Sequence, residues 1–152
     1  KGVLSVLNET YDREDCWMTY GSYIEYPSNV RGKFSQKVPD HIIDGNLFRS
    51  SPWMTSHLRT WKYGLWKGID KQKSFVEKDP VDNENHYAFC WDLAYMFPLL
   101  ELAGAKSYYI SDILYVYNRQ NPLCCDKIKH DVQLKMEHKI RNMERYKPLE
   151  EI

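Results

Sequence analysis

The chain has 152 residues, which allows one domain with its own hydrophobic core, and we take residues 1–152 as a single domain. Lysine plus arginine balances aspartate plus glutamate at 21 each, so the charge indicates neither a nucleic-acid partner nor an anionic membrane surface. Hydrophobic residues make up 43% and charged residues 28%, which excludes a disordered chain. No run approaches the roughly 20 apolar residues of a membrane span.

The four cysteines do not form a disulfide framework. Cys16 and Cys90 lie in apolar segments, which is typical of buried thiols. Cys124 and Cys125 are adjacent, which is poor geometry for a mutual disulfide and lacks metal-ligand spacing. We therefore expect a reducing compartment and, since no signal peptide is visible, a cytoplasmic location. The chain begins at Lys1 inside an apolar pattern, so we expect a piece of a longer protein.

Aromatic residues are unusually frequent, at 14% of the chain with 12 tyrosines and 5 tryptophans. Their flat apolar faces and hydrogen-bonding edges suit sugar rings and bases as well as protein cores. The composition therefore allows sugar binding without showing it.

The first part of the chain predicts a helix, a strand and a long loop. Residues 1–11 suit a short helix, and residues 16–26 are rich in the aromatic and β-favouring residues of a strand. Gly21 in mid-strand predicts a bulge or a close approach of other backbone. Residues 27–45 are polar and contain proline, glycine and asparagine, so we expect a loop that is long enough to cover a site.

A helix is predicted next, with Ser51 as its N-cap and Pro52 in its first turn. Its apolar positions at helical spacing are Met54, Leu58, Trp61, Leu65 and Ile69. On the flank of this face, Arg59, Lys62 and Trp66 would place two cations beside an indole. Such a group could bind a phosphate or a sugar, or it could simply lie between core and solvent.

A second helix is predicted over residues 89–104, kinked at Pro98 and ended by Gly104. Its apolar stripe consists of Phe89, Leu93, Met96, Phe97, Leu100 and Ala103. Asp92 falls at the edge of this stripe. Partial withdrawal of a carboxylate from water raises its affinity for protons, which is how proteins make general bases. The alternative is an ordinary amphipathic helix in which Asp92 accepts a structural hydrogen bond.

The last part of the chain predicts a strand and a final helix. Residues 108–117 suit one bent strand or two short strands in a buried sheet. The polar run 118–122 follows at the strand end, a common place for ligand-binding groups. An amphipathic helix is predicted over residues 126–147, capped by Asp126 and ended before Pro148.

These elements predict an α/β or α+β domain with one candidate base. The sequence has no glycine-rich phosphate loop, no HExxH motif and no paired-cysteine metal site. Ser111 and the other serines lack the context of a hydrolase nucleophile, and the 5 histidines are scattered. Asp92 is therefore the residue with the clearest chemical potential.

Four runs resemble, in order, the C-terminal, acceptor-side half of a family 2-like glycosyltransferase with the A-type fold. They are WMTYGSY at 17–23, HLRTWK at 57–62, WDLAYMFPLLELAG at 91–104 and ILYVYNRQNP at 113–122. The resemblance covers about residues 1–128. It implies an α/β chain with a partial A-type glycosyltransferase fold, a small mixed sheet flanked by helices that lacks the N-terminal nucleotide-binding half.

In that family the N-terminal half binds a nucleotide-sugar donor and ends in a DxD-type motif that holds a divalent metal, Mn²⁺ or Mg²⁺. Neither the motif nor the nucleotide-binding strands are found in this sequence. The resemblance therefore implies that this fragment alone does not carry out transfer and binds no metal tightly. The implied partners are a nucleotide-sugar donor and a glycan or protein acceptor. An edge left by the missing half could also favour self-association.

The resemblance also assigns roles to single residues. Asp92 resembles the catalytic base of inverting members, which takes the acceptor hydroxyl proton while that oxygen attacks the anomeric carbon of the donor. Trp91 would shape the acceptor site, and Tyr20 and Gly21 would lie near the junction of donor and acceptor.

Further candidates for binding donor or acceptor are Arg59, Lys62, Asn118 and Arg119. Where many relatives carry a histidine that can reach the metal or diphosphate, this chain has Asn121. An asparagine oxygen can ligate a hard cation, but the difference from the family leaves a metal role open. A function from another class also remains, a non-catalytic domain that holds a glycan or a protein on its aromatic surface.

Overall fold

The computed structural model describes residues 2–69, 90–123, 127 and 130–152. Along these residues the elements are α1 (Val3–Arg13), β1 (Met18–Tyr26), β2 (Val30–Arg31), α2 (Asp40–Asp44), β3 (Thr60–Trp61), α3 (Tyr63–Lys67), α4 (Trp91–Ala103), β4 (Ser107–Asn118) and α5 (His130–Arg141). Short 3₁₀ turns occupy Phe48–Ser50 and Gly104–Lys106. The predictions for Phe89, Cys124, Cys125 and Asp126 lie outside the described residues.

The sheet is built around β1. β4 runs parallel to β1 along its whole length, from Met18 opposite Ser107 to Tyr26 opposite Asn118. β3 and β2 pair with β1 in the antiparallel sense, at its N-terminal and C-terminal ends respectively. The protein is therefore a mixed α/β structure with a small, open mixed sheet flanked by helices.

Gly21 lies at an irregular point in the pairing of β1 with β4. It pairs with Ile110, and the register between β1 and β4 shifts on both sides of Ser22, which confirms the predicted irregularity. A Cβ at position 21 would lie 3.2 Å from the carbonyl oxygen of Ile110 and 3.6 Å from that of Leu58. The distance to Ile110 is tight for a Cβ, whereas the distance to Leu58 is an ordinary van der Waals contact, so the absence of a side chain matters mainly for the pairing with β4.

α4 is the central helix of the core. All of its residues are buried except Trp91, Asp92 and Tyr95. Burial extends beyond the predicted apolar stripe, since this helix is apolar almost all round, and the alternative of an ordinary amphipathic helix does not hold. The helix runs through Pro98 and ends at Gly104, whose φ of +49° lies in the left-handed region that glycine adopts readily.

Arg49 and Glu101 form a buried ion pair that joins several elements. Arg49 Nε donates to Glu101 Oε1 at 2.6 Å, and Nη2 donates to Oε2 at 2.9 Å, the two-point geometry favoured by arginine and carboxylate. Arg49 Nη1 also donates to the carbonyl oxygen of Ile140. The backbone N–H of Tyr146 donates to Glu101 Oε2 at 3.1 Å. These bonds connect the 3₁₀ turn at 48–50, α4, α5 and the C-terminal segment.

The helix predicted after Ser51 is wrong. The chain there is mostly extended, with Thr55 bridged to Ser35 and with β3 paired to β1. The hydroxyls of Thr60 and Thr19 lie 2.6 Å apart, which reinforces the strand pairing. An extended segment satisfies its backbone groups against β1, and this tertiary contact outweighs the helical spacing of the apolar residues. Helix is confined to α3 in this region.

Three other predictions need correction. The loop predicted over 27–45 contains β2 and α2. Of the two alternatives predicted for residues 108–117, the structure has one strand, β4, but this strand is not buried, since Ile113, Tyr115 and Val116 are exposed and its partner among the described residues is β1. The helix predicted to reach residue 147 ends at Arg141, because the chain then turns back along α4, where the N–H of Leu149 donates to the carbonyl of Leu102 at 2.9 Å.

Cys16 and Cys90 are buried thiols, as their apolar surroundings in the sequence predicted. The thiol of Cys90 donates to the carbonyl oxygen of Gln133 at 3.2 Å, which connects the start of α4 to α5.

Within the described parts of the chain, no helix combines the length and the apolarity that crossing a membrane requires.

We expect Arg49→Met to lower the free energy of unfolding by about 3–5 kcal/mol, because it leaves the Glu101 carboxylate buried without its cation. Arg49→Met combined with Glu101→Leu should lose less, since no buried charge is then unpaired. The control is Lys37→Met, at the exposed pair of Lys37 and Asp40, which should change stability by less than about 1 kcal/mol. Urea unfolding measures all three, and a double variant as unstable as Arg49→Met would contradict this reasoning.

We expect Gly21→Ala to destabilise the fold by about 1–3 kcal/mol, because the added methyl group presses on the backbone of Ile110. Gly2→Ala is the control, since a Cβ there meets nothing within 4 Å. Thermal unfolding of both variants checks this, and equal melting temperatures would show that the sheet accommodates a side chain at position 21.

Candidate functional site around Asp92 and Arg59

Asp92 lies at the N-terminal end of the buried helix α4. It is the second helical residue, and its side chain is 47% exposed, which agrees with the half-withdrawn position expected from the sequence. A carboxylate in the first turn of a helix is favoured by the positive end of the helix dipole. Its Oδ2 lies 3.5 Å from Nη2 of Arg59. The carboxylate is thus held on a rigid element while part of it faces solvent.

Arg59 is the buried partner in this site. Its side chain is only 5% exposed, and its guanidinium carbon lies 6.0 Å from the ring of Trp53. Nη2 also lies 3.3 Å from the ring nitrogens of His57. Nη1 is buried and has no hydrogen-bond acceptor among the described residues. A buried donor without an acceptor costs about 1–3 kcal/mol, so an oxygen that a ligand brings to this guanidinium would be favoured.

His57 is uncharged at neutral pH. Burial lowers its pKa to about 4, and the nearby guanidinium of Arg59 acts in the same direction, while Asp92 opposes both. Its ring stacks on Tyr115 and Tyr117, with centroids 4.6 and 5.6 Å apart. Tyr23 contacts it edge-on at 6.2 Å. His57 therefore contributes a flat, neutral surface beside Arg59 rather than a second cation.

A second set of aromatic rings includes Tyr95 of α4. Trp61 stacks on Trp66 at 6.0 Å and contacts Tyr95 at 5.6 Å. Burial raises the pKa of Tyr95, with Arg59 lowering it and Asp92 raising it, so its hydroxyl lies within electrostatic range of both charges. Tyr95 therefore stays protonated at neutral pH and can donate a hydrogen bond.

The structure brings some of the predicted site residues together. Trp91 precedes Asp92 on α4 and is 43% exposed, so both residues lie at the accessible N-terminal end of the helix. Gly21 lies beneath Leu58, in the segment that carries Arg59, and so acts through the backbone rather than as a ligand-binding side chain.

Other predicted residues lie elsewhere. Tyr20 is buried, its oxygen accepts a hydrogen bond from the N–H of Val38 at 3.0 Å, and burial raises its pKa to about 12. It lines a groove of about 620 Å³ whose wall does not include Asp92 or Arg59. Lys62 does not share a helix face with Arg59, since its ammonium lies 5.9 Å from the ring of Tyr11.

The polar residues after β4 mainly organise a turn. Asn118 Oδ1 accepts from the N–H of Gln120 at 2.9 Å, and Asn121 Oδ1 accepts from the N–H of Leu123 at 3.0 Å. The guanidinium of Arg119 lies 5.7 Å from the ring of Tyr117. This turn therefore places one cation next to the tyrosines of β4.

The described residues do not fit the divalent metal implied by the family resemblance. No three histidine, cysteine, aspartate or glutamate side chains converge in the part of the chain that the structure covers. The side-chain oxygen of Asn121 already serves the turn.

Sequence reasoning missed His57 and misplaced Arg59. His57 was grouped with scattered histidines, although it stands only two residues before Arg59. The helix predicted for this segment concealed that signal.

We expect the protein to lose stability as the pH falls from about 6.5 to about 4. In this window the unfolded chain protonates His57, whereas the folded protein keeps it neutral, so acid favours the unfolded state. Above pH 6.5 His57 is neutral in both states and adds no pH dependence. His57→Phe keeps an aromatic ring against Tyr115 and removes the proton, so its free energy of unfolding should vary less across this window.

Urea unfolding at a series of pH values measures this difference. The control is His138→Phe, which removes an exposed histidine of α5 and should keep the wild-type pH dependence because His57 is still present. A wild-type pH dependence in His57→Phe would show that His57 is not responsible.

Comparisons with protein-family models, with curated proteins and with solved structures find no match to this chain. The geometry around Asp92 and Arg59 is therefore the main basis for proposing a function.

Proposed function

We propose that this chain is the acceptor-side half of an inverting, nucleotide-sugar-dependent glycosyltransferase, with Asp92 as the general base. The observation that carries the proposal is the placement of a half-exposed carboxylate at the N-terminal end of a buried helix, 3.5 Å from a buried guanidinium and next in the chain to an exposed tryptophan. A general base needs a fixed position and access to its substrate. Asp92 has both, and the motif resemblance around it supplies the reaction class.

The proposed step uses Asp92 in one proton transfer. The acceptor hydroxyl donates its proton to the carboxylate while its oxygen forms a bond to the anomeric carbon of the donor. The bond from that carbon to the nucleotide diphosphate breaks, and the diphosphate leaves with the electron pair. Arg59 holds the carboxylate in place and compensates its charge at 3.5 Å. Trp91 offers an apolar face beside the reacting hydroxyl.

The donor and its metal belong to the complete enzyme in this proposal. The described residues of this chain do not form a divalent-metal site, so we derive no step through Mn²⁺ or Mg²⁺. We expect the fragment to be inactive in transfer until a nucleotide-binding half is supplied.

A non-catalytic binding domain is the second candidate. The observation that favours it is the set of exposed aromatic side chains, which includes Trp91 and Tyr115. Coding sequence upstream separates the two functions. A β-α-β pattern that ends in a DxD-type motif favours the enzyme, and an unrelated upstream sequence favours the binding domain.

In the complete enzyme, we expect Asp92→Asn to lower turnover by about 10²–10⁴-fold, the usual contribution of a general base, while binding of the nucleotide-sugar donor is retained. The control is Asp131→Asn, which removes an exposed carboxylate from another helix, α5. It makes the same chemical change away from Asp92, so a difference between the two variants reports the role of Asp92. Turnover of nucleotide-sugar donors measures the effect, and near-normal turnover in Asp92→Asn would remove Asp92 from the mechanism.

A further inference from the structure

We infer that the group that docks between Asp92 and Arg59 is a hydroxyl of a neutral carbohydrate, and that further sugar units lie on Tyr115 and Tyr117 of β4. This inference rests on the proposed function, and it names the acceptor as a neutral glycan rather than a protein side chain or a charged sugar. Tyr115 and Tyr117 form the tyrosine strip of β4.

The ion pair of Asp92 and Arg59 is open, in the sense that its charged atoms lie too far apart for a closed hydrogen bond. Its 3.5 Å separation exceeds the roughly 2.7–2.9 Å of a closed, charge-assisted hydrogen bond. The contrast with Arg49 and Glu101 is direct, since that pair is closed at 2.6 and 2.9 Å. Arg59 therefore keeps hydrogen-bonding capacity, as its unsatisfied Nη1 also shows within the described chain. Asp92 keeps an exposed face that can accept a further hydrogen bond.

The charges of the open pair select a neutral group. A hydroxyl donates to a carboxylate through its hydrogen and accepts from a guanidinium through its oxygen, so it satisfies both partners at once. A phosphate or carboxylate ligand would be repelled by Asp92, and an ammonium would be repelled by Arg59. His57, whose pKa burial lowers to about 4, adds no charge that would change this balance at neutral pH.

Three successive contacts connect the ion pair to the tyrosine strip. Asp92 lies 3.5 Å from Arg59, Arg59 lies 3.3 Å from the imidazole of His57, and the imidazole stacks on Tyr115 at 4.6 Å. Tyr115 is 37% exposed. Tyr117 is two residues further along β4 and on the same side of the strand. The aromatic surface is thus close enough to Asp92 for one extended ligand to contact both.

The chemistry of this path fits sugar rings better than a peptide. Sugar rings combine apolar faces, which stack on aromatic side chains, with hydroxyls at their edges. Peptides are recognised largely through backbone amides, which need backbone donors and acceptors in the site. Between Asp92 and the tyrosine strip the groups are an imidazole and phenol rings, with the guanidinium of Arg119 at the far end.

The test is an NMR titration of the 152-residue protein, in which shifts of the backbone amide signals report binding of each probe. The neutral probes are cellotriose, maltotriose and triacetylchitotriose. The charged probes are the chitosan trimer, which carries amines, and trigalacturonic acid, which carries carboxylates, and a serine-containing tripeptide represents a protein acceptor. We expect at least one neutral trisaccharide to bind at least tenfold more tightly than either charged trisaccharide or the tripeptide.

Two variants locate the binding. Asp92→Asn removes the repulsion of acidic sugars, so it should increase the affinity for trigalacturonic acid at least fivefold while changing neutral affinity less than threefold. Tyr115→Ala should weaken the neutral trisaccharide at least fivefold, and Tyr115→Phe should retain binding because the ring remains. Tyr63→Ala, which removes an exposed tyrosine of α3, is the matched control and should leave the affinity unchanged.

The inference is overturned if no neutral trisaccharide binds, if charged sugars or the tripeptide bind equally well, or if Tyr115→Ala has no effect. Its failure is distinct from failure of the proposed function. Loss of turnover in Asp92→Asn without a preference for neutral sugars refutes this inference and leaves the glycosyltransferase proposal standing. Neutral-sugar binding with normal turnover in Asp92→Asn refutes the catalytic role and leaves a glycan-binding site.

Discussion

The buried ion pair of Arg49 and Glu101 is the interaction on which the arrangement of the helices depends. Removing two charges from water is compensated only when their hydrogen-bonding positions are filled. Here the carbonyl of Ile140 and the backbone N–H of Tyr146 complete the pair. The four partners come from separate parts of the chain, so the pair closes only when the core elements adopt one mutual arrangement. We interpret its main contribution as selecting that arrangement.

α4 carries the acidic partner of each of two ion pairs. One pair stabilises the fold, and the other belongs to the candidate site. Near its C-terminal end Glu101 meets Arg49 in a closed and buried pair. At its N-terminal end Asp92 meets Arg59 in an open pair that is partly exposed. A site of this kind needs a supporting structure that does not shift when a ligand arrives. The closed pair fixes the helix, and the fixed helix holds the open pair ready for a ligand.

The sheet determines which side chains accompany this open pair. The backbone of Leu58, between His57 and Arg59, lies over Gly21 of β1. β4 then brings Tyr115 against the imidazole. The ion pair of Asp92 and Arg59, a neutral imidazole and an aromatic strand edge together form a site that has no net charge and is rich in flat rings. That combination is the physical basis for expecting a carbohydrate there.

Local patterns in the sequence were sufficient for α1, β1, α4 and β4, and for Asp92 as a candidate, because a lone carboxylate in an apolar run is visible without a partner. They were insufficient for residues 51–61, where helical spacing of apolar residues predicted a helix and pairing with β1 produced extended chain. The partners of Arg59 and Arg49 depend on contacts between distant segments, with Glu101 lying 52 positions from Arg49. Hydrophobic periodicity indicates secondary structure within one segment. Whether an ion pair is closed or open depends on how distant segments pack together, and no single segment of sequence contains that information.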